Sequence, residues 1–424
     1  MGSMLCVCLK IQINGMYKKR LIVIGGGAAG FFCAVNAARI CPDLEVIILE
    51  KTSKLLGKVR ISGGGRCNVT HACFSIADMI KKYPRGGSFL KKAFHHFFTE
   101  DTIHWFRERG VELKTEADGR MFPVTDSSQT IIDCLLKEAN KYGVQIRMNR
   151  ELKQLSVENG RWSLRINEDE IMQSDFVCIA SGGYPKMAQY GWLSNAGVEV
   201  ENPVPSLFTF NLPESPVRSL MGVTVENARV KIAGSKLTEE GPLLITHWGM
   251  SGPVILKLSA WGARELAARN WEFSILVNWL PDYNENSLRD LFQQKRFELA
   301  SQKIANRNPF GLPNRLWEFL LTQSGVREDL RWADLPAAAQ NKLIKNCCAS
   351  EYAVKGKTTF KEEFVTAGGV KLSGIDVNSM QSRKYPNLFY AGEAIDVDGI
   401  TGGFNFQNAW TTGWIAAKGI VSNV

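Results

Sequence analysis

Gly25-Gly26-Gly27-Ala28-Ala29-Gly30 has the residue types and spacing to hold a pyrophosphate. In this G-x-G-x-x-G pattern Gly25 allows the tight turn, Gly27 lets a phosphate approach the backbone, and Gly30 lets strand and helix pack closely. A helix beginning at Ala28 and Ala29 would aim free N–H groups and the positive end of its dipole at the phosphates. Glu50 ends the next strand and can accept from ribose hydroxyls, with Lys51 beside it. An acid there suits the unphosphorylated ribose of FAD or NAD rather than NADP.

Further glycine-rich pieces extend the pattern: Gly63-Gly64-Gly65-Arg66-Cys67-Asn68, then Ser181-Gly182-Gly183, and near the C-terminus Gly392-Glu393 with Asp396, followed by Gly403-Phe404-Asn405. Binding pieces at both ends of the chain suit FAD, whose long body needs a C-terminal segment to close over it. Arg66 is expected against pyrophosphate or flavin charge, and Glu393 against ribityl hydroxyls with Asp396 nearby. A helix starting near Phe404 can point its N-terminus at the flavin ring.

Two residues are candidates for chemistry on a substrate. Cys67 follows three glycines and an arginine that could lower its pKa; simple packing or cofactor positioning is the weightier reading. His247, in Thr246-His-Trp-Gly-Met-Ser-Gly-Pro253, could protonate the second carbon after hydride addition to an activated C=C; the alternative is a histidine that orders its loop. Arg120 and Phe122 are expected on the substrate side, unless they form only a packed Phe-Pro turn. No second G-x-G-x-x-G exists, so NAD(P)H would bind transiently over the flavin, or the substrate itself would donate electrons. No CxxC motif supports dithiol chemistry or a metal site.

The positioning elements follow from hydrophobic periodicity. Arg20–Gly25 is a short β-branched run, followed by a small-residue helix through Ala38 and a strand at Glu45–Glu50. Thr130–Tyr142 places Ile131, Ile132, Leu135, Leu136 and Ala139 on one helical face. Leu152–Val157, Trp162–Ile166 and Phe176–Ile179 read as a meander. After Gly197 the texture becomes proline-rich and alternating. The expected fold is α/β: a Rossmann-like, glutathione-reductase-like FAD-binding domain at 17–196 and 365–424, a β domain inserted at 197–284 and 349–364, and a small helical domain at 285–348. Residues 1–16 read as an N-terminal extension that ends on Met16, a natural start.

Composition bounds the function. The chain has 424 residues, 45% of them hydrophobic, which supports more than one core and excludes wholesale disorder. No run of apolar residues is long enough to span a membrane. Ten cysteines fall far short of a disulfide framework, so reduced thiols and a cytoplasmic protein are expected. The net charge is +9, with 14 Lys/Arg against 7 Asp/Glu between residues 51 and 120. Lys81-Lys82 and Lys91-Lys92 read first as a solvated face and second as an RNA-facing patch.

Five motifs in order carry a resemblance: Gly63–Asn68, Gly119–Pro123, Thr246–Pro253, Thr366–Val370, and Gly392–Gly399 followed by Thr401–Asn405. On these the chain resembles the YhiN/BaiN-like (HI0933-type) flavoproteins, NAD(P)/FAD-dependent oxidoreductases, over nearly its whole length from about Lys18. Ser181 stands where that family often has threonine. The resemblance implies FAD, and hydride transfer from NAD(P)H to a conjugated C=C. The activities it brings are reduction of steroid enones, reduction of a uracil in ribosomal RNA to dihydrouridine, and oxidation of aminoacetone. The basic first domain tilts the expectation toward ribosomal RNA over a small-molecule substrate. A flavin-carrying RNA-binding factor without turnover is the rival from another class. No DNA or membrane partner is expected, and the oligomeric state stays open.

Overall fold

The computed structural model describes residues 18–359 and 365–424; the extension and Met16 lie outside them. The β-branched run becomes a strand at Arg20–Ile24, paired in parallel with Glu45–Glu50 on one side and Phe176–Ile179 on the other. Gln145–Met148 and Leu388–Tyr390 complete a five-stranded sheet. Residues 21–24 and 46–49 of the central strands are buried between the helix Ala28–Ile40 and the antiparallel strands Arg161–Ile166 and Glu170–Ser174, which is why they read as continuous apolar runs. The helix Ala28–Ile40 is buried from Ala29 to Ala38 and packs against the last helix, Phe404–Val421. The C-terminal segment thus returns to the first domain.

The meander differs from expectation. Its third strand is Glu170–Ser174, while Phe176–Ile179 crosses into the parallel sheet. The expected helix runs from Ser128 to Lys141, with the Ser127 hydroxyl capping the Gln129 N–H.

Two antiparallel strands, Val200–Ser206 and Val365–Val370, carry the chain out of this domain and back. Between them lies a seven-stranded antiparallel sheet whose central strands are Glu272–Asn278, Thr224–Ile232 and Thr238–Ile245. The helices Glu285–Glu298, Asn314–Gln323 and Ala337–Cys348 follow. Leu288, Phe292, Trp317 and Trp332 share one apolar core with Val230, Ile245 and Val277 of the sheet. No seam in the core separates a β domain from a helical one.

Candidate cofactor and active site

The glycine loop turns at the carboxyl ends of Arg20–Ile24 and Phe176–Ile179, the place where open α/β sheets bind ligands. A Cβ on Gly25, which has φ +113°, would lie 2.4 Å from the Ala180 carbonyl oxygen, and one on Gly30 would lie 2.0 Å from that of Gly25. Neither position can carry a side chain. Gly27 is different: a Cβ there would meet nothing within 4 Å, because its face opens on a cavity.

That cavity is about 720 Å³, inside the usual range for ligand sites. One wall is built from the glycine loop, the Ser62–Gly64 turn, Gly392-Glu393 and the Thr401–Gly403 turn. Leu207, Thr209, Ser251 and Leu256 line the cavity as well, from the segment that enters the inserted domain and from that domain itself. A second cavity of about 280 Å³ shares Gly25, Glu50, Lys51 and Ser181 with the first and continues past Arg150, Leu152, Tyr184 and Trp192. The two make one elongated site with a small aromatic-lined end. The N-termini of Ala28–Ile40 and Phe404–Val421 both open on it, and the faces of Gly27, Gly64 and Gly182 are vacant. An extended dinucleotide with a planar ring at each end, such as FAD, fits these residues.

Most of the expected residues converge there. Gly25, Gly27, Ala28, Ala29, Glu50, Lys51, Gly64, Asn68, Gly182, Gly392, Glu393, Gly403, Asn405 and Arg120 line the cavity. The Glu50 carboxylate accepts from the Gly26 N–H at 2.9 Å and from the Thr52 N–H and hydroxyl at 2.9 Å each. A carboxylate has about four acceptor sites, so it can still receive ribose hydroxyls. Glu393 accepts from the Thr366 N–H at 2.9 Å and from Lys58 Nζ at 2.5 Å. The Asn68 amide, its NH₂ turned to the Thr70 carbonyl and its oxygen to the Gly403 N–H, both at 3.0 Å, ties the second glycine loop to the last helix. Asn405 grips both the N–H and the carbonyl of Gly399, at 2.8 and 2.9 Å.

Other expected residues stand elsewhere. Arg66 is not free for pyrophosphate: its Nη1 is 2.5 Å from Glu116, and its guanidinium lies 4.0 Å over the Phe122 ring. Phe122 is buried beneath Gly63 and does not reach the cavity. Cys67 is fully buried, and burial pushes its thiol up to about 12, against a smaller opposing pull from Ser62. A thiol held protonated and out of the cavity is no nucleophile. His247 is exposed on the inserted domain, edge-on to Trp248, with its carbonyl accepting from Arg218 Nε at 2.6 Å. It does not line the cavity. Asp396 accepts from Arg264 rather than facing the cofactor. Gly30, Gly65, Gly183 and Phe404 also lie off the cavity. Gly183 is closed in by Thr366 and Glu393, and Phe404 stacks on His71 at 4.7 Å.

Lys54, Lys58, Thr401 and Phe406 line the cavity without having been singled out in the sequence. Tyr184 and Trp192 closely follow Ser181-Gly182-Gly183 and could have been found from that proximity. Ser251 lies in the Thr246–Pro253 motif, whose conspicuous chemical group is His247 instead; Leu207 and Leu256 carried no such signal, because the inserted domain meets the glycine loops only through folding. Among the described residues no His, Cys, Asp and Glu side chains are grouped to hold a metal ion, and no helix is long and apolar enough to cross a membrane.

Comparison with known proteins gives one family match, to the HI0933-like protein Rossmann domain, over residues 19–419. The chain is 29% identical over 411 residues to the ribosomal RNA dihydrouridine synthase of Escherichia coli, covering 95% of this chain and 98% of that protein. It is 26% identical over 407 residues to the 3-dehydro-bile acid delta(4,6)-reductase of Clostridium scindens, covering 94% and 98%. A ribosomal RNA dihydrouridine synthase of Haemophilus influenzae is 27% identical over 412 residues, covering 94% and 98%.

Proposed function

Because the chain belongs to the HI0933-like family and is, with its relatives, an FAD-dependent oxidoreductase, we propose that it reduces a uracil of ribosomal RNA to dihydrouridine with electrons from NAD(P)H. When bound, FAD supplies the two-electron chemistry, accepting hydride from the donor and passing it to the electrophilic carbon of the conjugated C=C. The Gly25–Gly30 loop and the first helix hold the diphosphate, Glu50 the adenosine ribose, and Glu393 with Lys58 the ribityl chain. Gly403 and the last helix present positive dipole to the flavin ring. Leu207 and Leu256 add apolar surface on the substrate side, which Arg120 borders with its guanidinium held by Asp118 at 2.7 Å and by Glu116 at 3.0 Å.

The observation that carries the RNA reading is the position of the basic segment. The Lys82 carbonyl accepts from the Ile400 N–H at 2.9 Å, and Ile400 lines the cavity. Lys91 and Lys92 are exposed on the helix Gly87–Ala93, which packs against the last helix. The cations and the flavin site therefore belong to one structural unit. The two dihydrouridine synthase relatives support the same substrate, which would put the enzyme to work in the cytoplasm. The bile-acid reductase relative supports the second reading, a small conjugated ketone.

The test is the dihydrouridine content of ribosomal RNA from cells lacking the gene, with and without plasmid-borne wild type or the Lys82, Lys91 and Lys92→Glu triple variant. Loss of the modification, restored by wild type only, supports the reading. Binding of RNA should also weaken as salt rises, by about 0.7 in log K per phosphate contact per decade for single strands. The base must leave its stack to reach the flavin, so loop RNA should outcompete duplex. Unchanged dihydrouridine, with reoxidation of reduced enzyme by a 4-en-3-one steroid, would favour the small-molecule reading.

A further inference from the structure

We propose that Ser251 is the donor that receives the negative charge developing on the substrate's carbonyl oxygen, and so selects for a C=C conjugated to a carbonyl. The inference rests on the reductase reading above and extends it to a residue of the inserted domain.

Ser251 ends the short strand Gly249–Ser251, which pairs with Leu244 and Ile245 on one side and with Phe210 on the other through Met250. Gly252 follows at φ +94°, and a Cβ there would lie 2.8 Å from the Pro242 carbonyl oxygen. The turn is thus held on both sides and gives the Ser251 side chain a fixed origin. Ser251 lines the cavity that the glycine loop also lines. Its hydroxyl has no hydrogen-bond partner among the described residues. The contrast with Thr209 on the same cavity is informative. The Thr209 hydroxyl accepts from Trp248 Nε1 at 3.0 Å and donates to the Thr358 carbonyl at 3.2 Å. Thr209 is committed to the fold, whereas Ser251 keeps a donor for a ligand. Leu207 and Leu256, half-buried on the same cavity, reduce the water around the hydroxyl without closing the site to solvent, which strengthens that donor.

The chemistry needs such a group. Hydride delivered by the reduced flavin forms a C–H bond at the β-carbon. The π pair of the C=C shifts to make a C=C to the carbonyl carbon, and the carbonyl π pair moves onto oxygen as an enolate. The α-carbon then takes a proton from solvent and the carbonyl re-forms; the substrate gains two electrons and the flavin loses them. A preplaced hydroxyl at the oxygen favours the enolate over the neutral ground state. Uracil and a conjugated 3-oxo steroid share that O=C–C=C unit, so one hydroxyl serves substrates that differ in every other respect.

The first measurement needs no turnover. Oxidised, FAD-loaded protein is titrated with 4-nitrophenolate, a planar oxyanion of the right charge, and binding is read from its absorbance shift. Ser251→Ala is expected to weaken binding about 10–100-fold, the value of a hydrogen bond to a charged group, with FAD content unchanged. Ser251→Thr keeps a hydroxyl and is expected to restore most of the affinity. In turnover, Ser251→Ala should lower kcat for reoxidation about 10²-fold with little change in KM, using whichever of uracil-containing RNA or 4-en-3-one steroid reoxidises wild type. Equal nitrophenolate affinity in wild type and Ser251→Ala overturns the proposal, whatever the substrate proves to be. Weakened nitrophenolate binding together with unchanged ribosomal dihydrouridine in the gene-deleted cells would leave Ser251 in its role and remove the RNA reading alone.

Discussion

Nη2 of Arg264 lies 2.9 Å from each carboxylate oxygen of Asp396, and this pair joins a helix of the inserted domain to the segment that follows the glycine at 392. Two residues on, Asp398 is fully buried and bonded by Arg85 and by the Ser206 hydroxyl at 2.8 Å. Burial raises the Asp398 carboxyl above its ordinary range while Arg85 pulls it back. One stretch of chain therefore contributes Glu393 to the cofactor cavity and two aspartates to the joint between domains. Arg264→Ala should leave FAD content unchanged and cost under about 1 kcal/mol of stability, as partly exposed ion pairs do. Thermal melting with a flavin-release readout checks this; loss of FAD would return Asp396 to the cofactor.

Gly27→Val should fold and lose FAD, because a side chain there enters the cavity without touching protein. Gly30→Ala should lose stability and FAD together, since its Cβ would lie 2.0 Å from the carbonyl oxygen of Gly25 in the same loop. Overpacking of that kind costs about 1–3 kcal/mol or more. Absorbance at flavin wavelengths against far-UV circular dichroism separates the two outcomes.

Glu50→Ala should weaken FAD binding by about 1.5–3 kcal/mol, the loss of charge-assisted hydrogen bonding to ribose. It also frees the Gly26 and Thr52 N–H groups that Glu50 now receives. Titration of apoprotein with FAD measures the change, and an unchanged Kd would remove Glu50 from the cofactor's contacts.

Cys67→Ser should leave turnover intact, and the native Cys67 thiol should resist iodoacetamide until the protein unfolds. Its folded pKa is raised, to about 12 from 9.0. The thiol's contribution to stability is therefore complete below pH 9 and is lost as pH climbs through the folded value, by up to about 4 kcal/mol. Alkaline denaturation of wild type should steepen relative to Cys67→Ser across that window. Identical curves would mean that the thiol is reached by water.

His247→Ala should leave both flavin half-reactions at wild-type rates and change stability by less than about 0.5 kcal/mol, as exposed substitutions do. A lost general acid would instead slow reoxidation about 10²–10⁴-fold. Stopped-flow absorbance with saturating acceptor tells the two apart.

The amino-acid sequence alone determined the dinucleotide half of this protein. Gly25, Gly27, Gly30 and Glu50 sit within one strand–helix–strand unit, where local spacing dictates local geometry. Periodicity likewise placed the strands at Arg20–Ile24 and Glu45–Glu50 and the helix near 130–142, because burial on one or both faces leaves a repeat that can be counted. Tertiary structure decided the rest. Arg66 looked like a phosphate ligand until the hairpin carrying Glu116 and Phe122 folded onto it and neutralised its charge. Cys67 looked activated by its glycines and arginine, but burial overrides both and keeps its proton. His247 stands in a distinctive motif, yet the turn after it directs Ser251 rather than the imidazole to the cavity. Leu207 and Leu256 gave no local sign, and the motif that holds Ser251 did not say which of its residues would reach the cavity. Their placement depends on two strands, Val200–Ser206 and Val365–Val370, pairing across a long separation in the chain, and no local pattern encodes which distant surfaces such a pairing brings face to face.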